Sequence, residues 1–192
     1  GSTVRYIEYL SNYEFGTDIK DAYFVDCGLT YSGSAATSLS GLNHLEGEKV
    51  VVLGDGATHP DRTVSSGAIT LSRSVKKAHI GFNYISTLQT MRIDSGGAEG
   101  TSQGKTKRIN NITLRLYKSV GVKVGSSETE LDLIPFRSSA DDMSEALGMF
   151  TGDKEVEFRG GYDNDGFVFV KQDQPLPLTV LAIFPRLQTF DQ

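Results

Sequence analysis

Apolar and polar residues alternate along most of this chain, with glycine or acidic turns interrupting about every ten residues. A period of two sends successive side chains to opposite faces of an extended backbone, so the pattern predicts short strands and excludes a helical bundle. Residues 49–53 read KVVVL and stop at Gly54-Asp55-Gly56, a turn cluster whose glycines tolerate positive φ. Short strands follow at 58–64, 68–71 and 78–82, with connectors at 65–67 and 73–77. Residues 85–93 close this series, with Ile85, Leu88 and Met91 expected to be buried. Ile112, Leu114 and Leu116 alternate with Thr113, Arg115 and Tyr117, which makes 109–117 a half-buried strand. Val120, Val122 and Val124 repeat the alternation. Val156 and Phe158 share one side of a strand expected to pair with 167–170 through the loop 160–166. A last apolar strand at 178–184 ends at Pro185.

The fold class is therefore all-β, with one or two short helices. Residues 14–21 have room for a helical turn. Ser139, followed by Asp141 and Asp142, predicts a capped helix over 141–147 that Gly148 ends. The segment 95–107, SGGAEGTSQGKTK, has four glycines and no large apolar residue, so it is expected to be a flexible loop between two modules. The expected organisation is a lead-in at 1–26, a small β-barrel at 27–94, that loop, and a β-sandwich-like module at 108–192. The opening Gly1-Ser2 resembles the scar of a cleaved tag, so a segment of a longer protein is expected.

Composition narrows the function. The single Cys27 cannot form an internal disulfide. The longest apolar run near the C-terminus contains Pro177 and is far short of the roughly 20 residues of a membrane helix, so no membrane span is expected. A net charge of −5 argues against a general nucleic-acid binder. Charge is unevenly spread, however. Lys105, Lys107, Arg108, Arg115, Lys118 and Lys123 occur with no acid among them, whereas 126–165 holds eleven acids and three bases. That asymmetry suits contacts between subunits, and it makes the six cations a candidate interface or DNA-facing patch. Tyr117 alone interleaves them, which supports a single-strand groove poorly.

Motifs for small-molecule chemistry fail on inspection. Gly104-Lys105-Thr106 lacks the earlier glycine of a phosphate-binding loop, where this chain has Glu99, and a strand rather than a helix follows. Asp163-Asn164-Asp165-Gly166 resembles part of a calcium loop, but Gly161 and Gln172 stand where acids are needed, and a hairpin turn is the simpler reading. His44, His59 and His79 show no metal-ligand spacing, although His44, His59 and Asp61 could converge. Cys27 has no nearby cation to activate it. No G-x-S-x-G elbow occurs and no carboxylate pair stands out. No catalytic residue, metal site or cofactor is predicted.

Several blocks do resemble a known family. They are DAYFVD at 21–26, GLTYSG at 28–33, LNHLEG at 42–47, VVVLGDG at 50–56 and His59-Pro60. QGKTKRI at 103–109, IPFR at 134–137, FTGDK at 150–154 and QPLPLT at 174–179 extend the set. Together they are similar to the C-terminal part of tail nozzle, or tail tubular, proteins of short-tailed phages and prophages. The LNHLEG…VVVLGDG block is also similar to the β-barrel around the first catalytic cysteine half-domain of ubiquitin-activating enzymes. That similarity concerns fold alone, since Cys27 precedes the block.

The resemblance implies a virion structural protein without enzymatic activity, made in the host cytoplasm and built into the tail. It implies a homo-oligomeric ring, with six copies as the expected number, in contact with adjoining tail and adaptor proteins and with DNA only in transit. An acidic lumen would repel the duplex, because phosphate binding strengthens with each cation presented. The second reading is recognition of a host-surface glycan or protein. It would use exposed turns bearing Asn43, His44, Glu46, His59 and Asp61, with Tyr31 and Tyr84 as the aromatic platforms. A tail-borne hydrolase is the third class, and no motif calls for it.

Overall fold

Strands occupy about 53% of the chain and helix 3% in a computed structural model, which describes residues 5, 7–10, 12–94 and 100–190. The strands, in chain order, are β1 (Asp26–Ser40), β2 (Lys49–Gly54), β3 (Ala57–Thr63), β4 (Ala68–Phe82), β5 (Ser86–Gln89) and β6 (Thr106–Ser119). They continue with β7 (Lys123–Gly125), β8 (Leu131–Leu133), β9 (Phe150–Glu157), β10 (Tyr162–Asp163), β11 (Phe169–Gln172) and β12 (Val180–Phe190). Every ladder is antiparallel. The fold is all-β.

Two compact units divide the chain, Gly1–Tyr84 and Ile85–Gln192. The division falls ahead of the glycine-rich segment on which the sequence reading placed it. Hydrogen bonding is the reason: β5 pairs with β11, and Thr90 exchanges bonds with Val168, which ties residues 85–94 to the second unit. β6 already begins at Thr106, inside the expected loop. Residues 95–99 of that loop lie outside the described residues. Its base is fastened, because the Asp94 carboxylate accepts bonds from Thr101 Oγ1, the Ser102 amide and hydroxyl, and Gln103 Nε2.

In the first unit the strand order is β1-β4-β2-β3. Residues 73–77 do not connect two strands; they are carried inside the 15-residue β4. β4 lies against both β1 and β2 along its C-terminal half, and register shifts break its pairing with β1 between Ser32 and Ser38. Arg62 of β3 reaches the N-terminal half of β4 by bonds to the Thr70 carbonyl and Ser72 hydroxyl. The described strands thus form a curled sheet without a ladder from β1 to β3, around a core that includes Leu39, Leu45, Val50, Val52, Ile69 and Ile80. Gly28 and Gly81 permit a close approach of β1 to β4, since a Cβ on Gly81 would run into the Asp26 carbonyl oxygen. The 3-10 turns at Ile19–Asp21 and Asn43–Leu45 supply the helical content.

The second unit has two four-stranded sheets. In one, β6 lies between β12 on one side and β9 and β10 on the other; the second runs β5-β11-β7-β8. Ile109, Ile112, Leu114 and Leu116 of β6 form a single core with Val124 and Val170 of the other sheet. Strict alternation could not bury both Ile109 and Ile112. The register on β12 advances one residue, Leu187 to Arg186, while β6 advances two, Ile109 to Asn111. Asn110 is therefore the extra residue of a bulge that shifts the inward phase from odd to even positions.

Four further expectations change. Ile85, Leu88 and Met91 are exposed (59%, 42% and 87%), because β5 is an edge strand whose side chains meet little of the core. β9 pairs with β6 and not with β11, so residues 160–166 do not close a hairpin between them. Residues 141–147 form turns, not a helix: the Asp141 carboxylate accepts the Ser138 amide, the Asp142 carboxylate accepts the Ser144 amide, and Arg137 donates to the Asp142 and Glu145 carbonyls. The short polar side chains compete with helix hydrogen bonds for the backbone donors. Finally, β12 continues through Pro185 to Phe190, which an edge strand permits because a residue without an N–H can turn its nitrogen toward solvent.

Candidate functional site

The basic segment lies mostly on β6, and β6 sorts its cations by face. Lys107 points inward at 2% exposure, and its Nζ donates to the Asn164 carbonyl at 2.7 Å. It cannot belong to an exposed patch. Its acceptor comes from the Asp163–Gly166 bend. There burial pushes the Asp163 carboxyl upward, but the amides of Gly166, Asp165 and Asn164 outweigh it and hold the carboxyl below its ordinary value. These four residues form a bend closed by the Gly166 amide on the Asp163 carboxylate, not the expected hairpin turn, and Gly166 takes φ +65° in it.

Arg108 and Arg115 point outward. Arg115 makes two bonds to Asp153 of β9, at 2.7 and 2.8 Å, and lies 5.2 Å from the Phe184 ring centre. Hydrogen bonding to that guanidinium holds the Asp153 carboxyl below its usual range. Arg108 lies 5.4 Å from the Tyr162 ring, which meets Phe190 edge-on at 5.2 Å. Arg186 of β12 reaches across β6 to Glu155 at 3.9 Å, and Asn111 donates to the same carboxylate. The outer face of this sheet is thus laced by ion pairs across three strands, with Tyr162 and Phe190 at one end and Phe184 near its middle.

The remaining members are dispersed. Lys123 pairs with Asp173, Lys118 lies 5.3 Å from the Tyr117 ring and donates its amide to Thr151 Oγ1, and the Lys105 amide donates to the Ser102 carbonyl. Much of the charge complementarity expected between subunits is consequently satisfied inside one unit. Sequence could not reveal this, because Arg115 and Asp153 are 38 positions apart.

The five turn residues serve the fold of the first unit. Both Glu46 oxygens accept amides, from Ser66 at 2.9 Å and Gly67 at 2.6 Å. Asn43 begins the 3-10 turn and places its carboxamide against Gly67. His44 Nε2 donates to the Cys27 carbonyl at 2.9 Å, and Asp61 pairs with Lys49 at 2.8 Å. His59 is buried at 7% exposure, contrary to an exposed-loop role, and accepts a bond from Arg73 Nε. Burial, then the charges of Arg73 and Arg62, hold its pKa down. His44, His59 and Asp61 do not converge, and no group of three His, Cys, Asp or Glu side chains does so among the described residues.

Sequence reasoning did not identify one concavity in this unit, a cleft of about 720 Å³. Tyr13, Phe15, Tyr23, Phe24 and Tyr84 line it beside Glu8, Cys27 and His44. Of the two expected aromatic platforms the cleft includes Tyr84; Tyr31 lies elsewhere, with its hydroxyl donating to the Ser34 carbonyl. Burial, followed by a bond to Glu8 and the charges of Glu8 and Asp26, raises the Cys27 thiol to about 11. A thiol so protonated is a poor nucleophile.

No protein-family model matches this chain, and no curated protein matches its sequence.

Proposed function

We propose that this chain is a structural, non-enzymatic assembly module that associates with copies of itself, as a segment of a phage tail conduit would. The supporting observation is the outer face of the β9–β6–β12 sheet. Phe184, Phe190 and Tyr162 stand 45%, 41% and 61% exposed beside Arg108 and Arg115. Aromatic residues and arginine are the types enriched where proteins meet proteins. The tail setting, the ring and the passage of DNA come from the motif resemblance. Sedimentation velocity over a wide concentration range tests self-association, and a chain that stays monomeric throughout refutes it.

The aromatic cleft favours a second reading, recognition of a host-surface glycan. Tyrosine rings can stack on a sugar while Glu8 and Asn12 offer polar partners. Binding on a glycan array that disappears with Tyr84→Ala would promote this reading; an empty array would remove it.

A further inference from the structure

Charge on the outer face of the β9–β6–β12 sheet has a direction. β9 exposes Asp153, Glu155 and Glu157, whereas β12, on the far side of β6, carries Phe184 and Arg186. The free edge of β12 is poorly suited to adding a strand, because Pro185 leaves a gap in its row of donors. Contact through the face is the remaining option.

We infer, building on the self-association proposed above, that this face packs against the same face of a second copy about a two-fold axis parallel to the strands. Such an axis reverses strand order across the contact, so β9 of one copy lies over β12 of the other. Arg186 stands level with Glu157 across Asn111, so Glu157 then meets the second copy's Arg186, and the reciprocal pair forms on the other side of the axis. An in-plane axis perpendicular to the strands would set acids against acids. Within one chain Arg186 approaches Glu155 only to 3.9 Å and is 76% exposed, so it has room to change partners.

Three strands spaced about 4.8 Å apart and about 36 Å long give a footprint of about 500 Å² per copy. The total, about 1,000 Å², is near the lower limit of a specific interface. The contact is weak in isolation. It also closes after two copies, so a ring would require a separate head-to-tail contact.

Arg186→Glu and Glu157→Arg, each made in the whole chain, test the contact by sedimentation velocity. Either variant alone brings like charges together and should raise the dissociation constant at least about tenfold. An equimolar mixture restores opposite charges at both pairs and should return to within about threefold of the unaltered chain. Circular dichroism checks folding, and Glu157→Lys replaces Glu157→Arg if the latter unfolds. Variants that associate like the parent, or a mixture no better than its components, would overturn this contact while leaving self-association standing. A parent chain that stays monomeric would remove both.

Discussion

Cys27 shows how neighbours decide the chemistry of a single residue. With its thiol raised to about 11 from an ordinary value of 9.0, the thiolate fraction at neutral pH falls about a hundredfold. Iodoacetamide should therefore label native Cys27 far more slowly than the urea-unfolded chain, as read by mass spectrometry; equal rates would contradict the geometry. His79 shows a complementary case. Its Nε2 donates to the Lys20 carbonyl at 3.0 Å and its Nδ1 accepts from Thr30 at 2.8 Å, so the neutral ring is fully used. Burial lowers the pKa of His79 and of His59 below the ordinary 6.5. On acidification the unfolded chain binds these protons first. The stability tied to the neutral rings is complete above pH 6.5 and is lost as pH falls below that value. Melting curves between pH 8 and pH 5 should show falling thermal stability, and His79→Gln should flatten part of the slope.

Strands depend on partners as well as on pattern. β6 reads as a strand in any context, because Ile112, Leu114 and Leu116 alternate with polar residues. β1 does not: its small and hydroxylated residues from Thr30 to Ser38 carry few apolar side chains, and its ladder to β4 makes it a strand. Lys107 shows the cost of placing a cation on an inward position of such an element. Lys107→Met should cost about 1–3 kcal/mol in urea denaturation, since the Asn164 carbonyl loses its donor. Gly125, at the end of β7, tolerates no side chain, because a Cβ would overlap the Glu130 backbone carbonyl. Gly125→Ala should destabilise by more than about 2 kcal/mol in the same measurement.

For the molecule as a whole, the distribution of paired charge matters more than the net value. Lys107 is buried, and Arg115 and Lys123 already have carboxylate partners, so the basic segment offers few cations to phosphate. Fluorescence anisotropy with a short duplex at physiological salt should give a dissociation constant weaker than about 100 μM, at the weak end of non-specific binding. Tight, strongly salt-dependent binding would contradict the proposed passage of DNA without retention. Sequence charge suggested attraction between subunits; folding has used much of that attraction internally. What the fold leaves on the surface is an ordered row of acids on one side of β6 and arginine with phenylalanine on the other.

The chain by itself determined the all-β class and the positions of most strands, because period-two alternation acts over a few residues. It also held the cations of the candidate face, Arg108 and Arg115, without showing which side of β6 they occupy. Tertiary structure decided the pairing of β9 with β6, the inward turn of Lys107, the exposure of β5 and the cleft around Tyr84. Those features depend on strand register and on contacts between residues tens of positions apart. A single bulge at Asn110 changes which side chains face the core, and only the neighbouring strand fixes where that bulge falls.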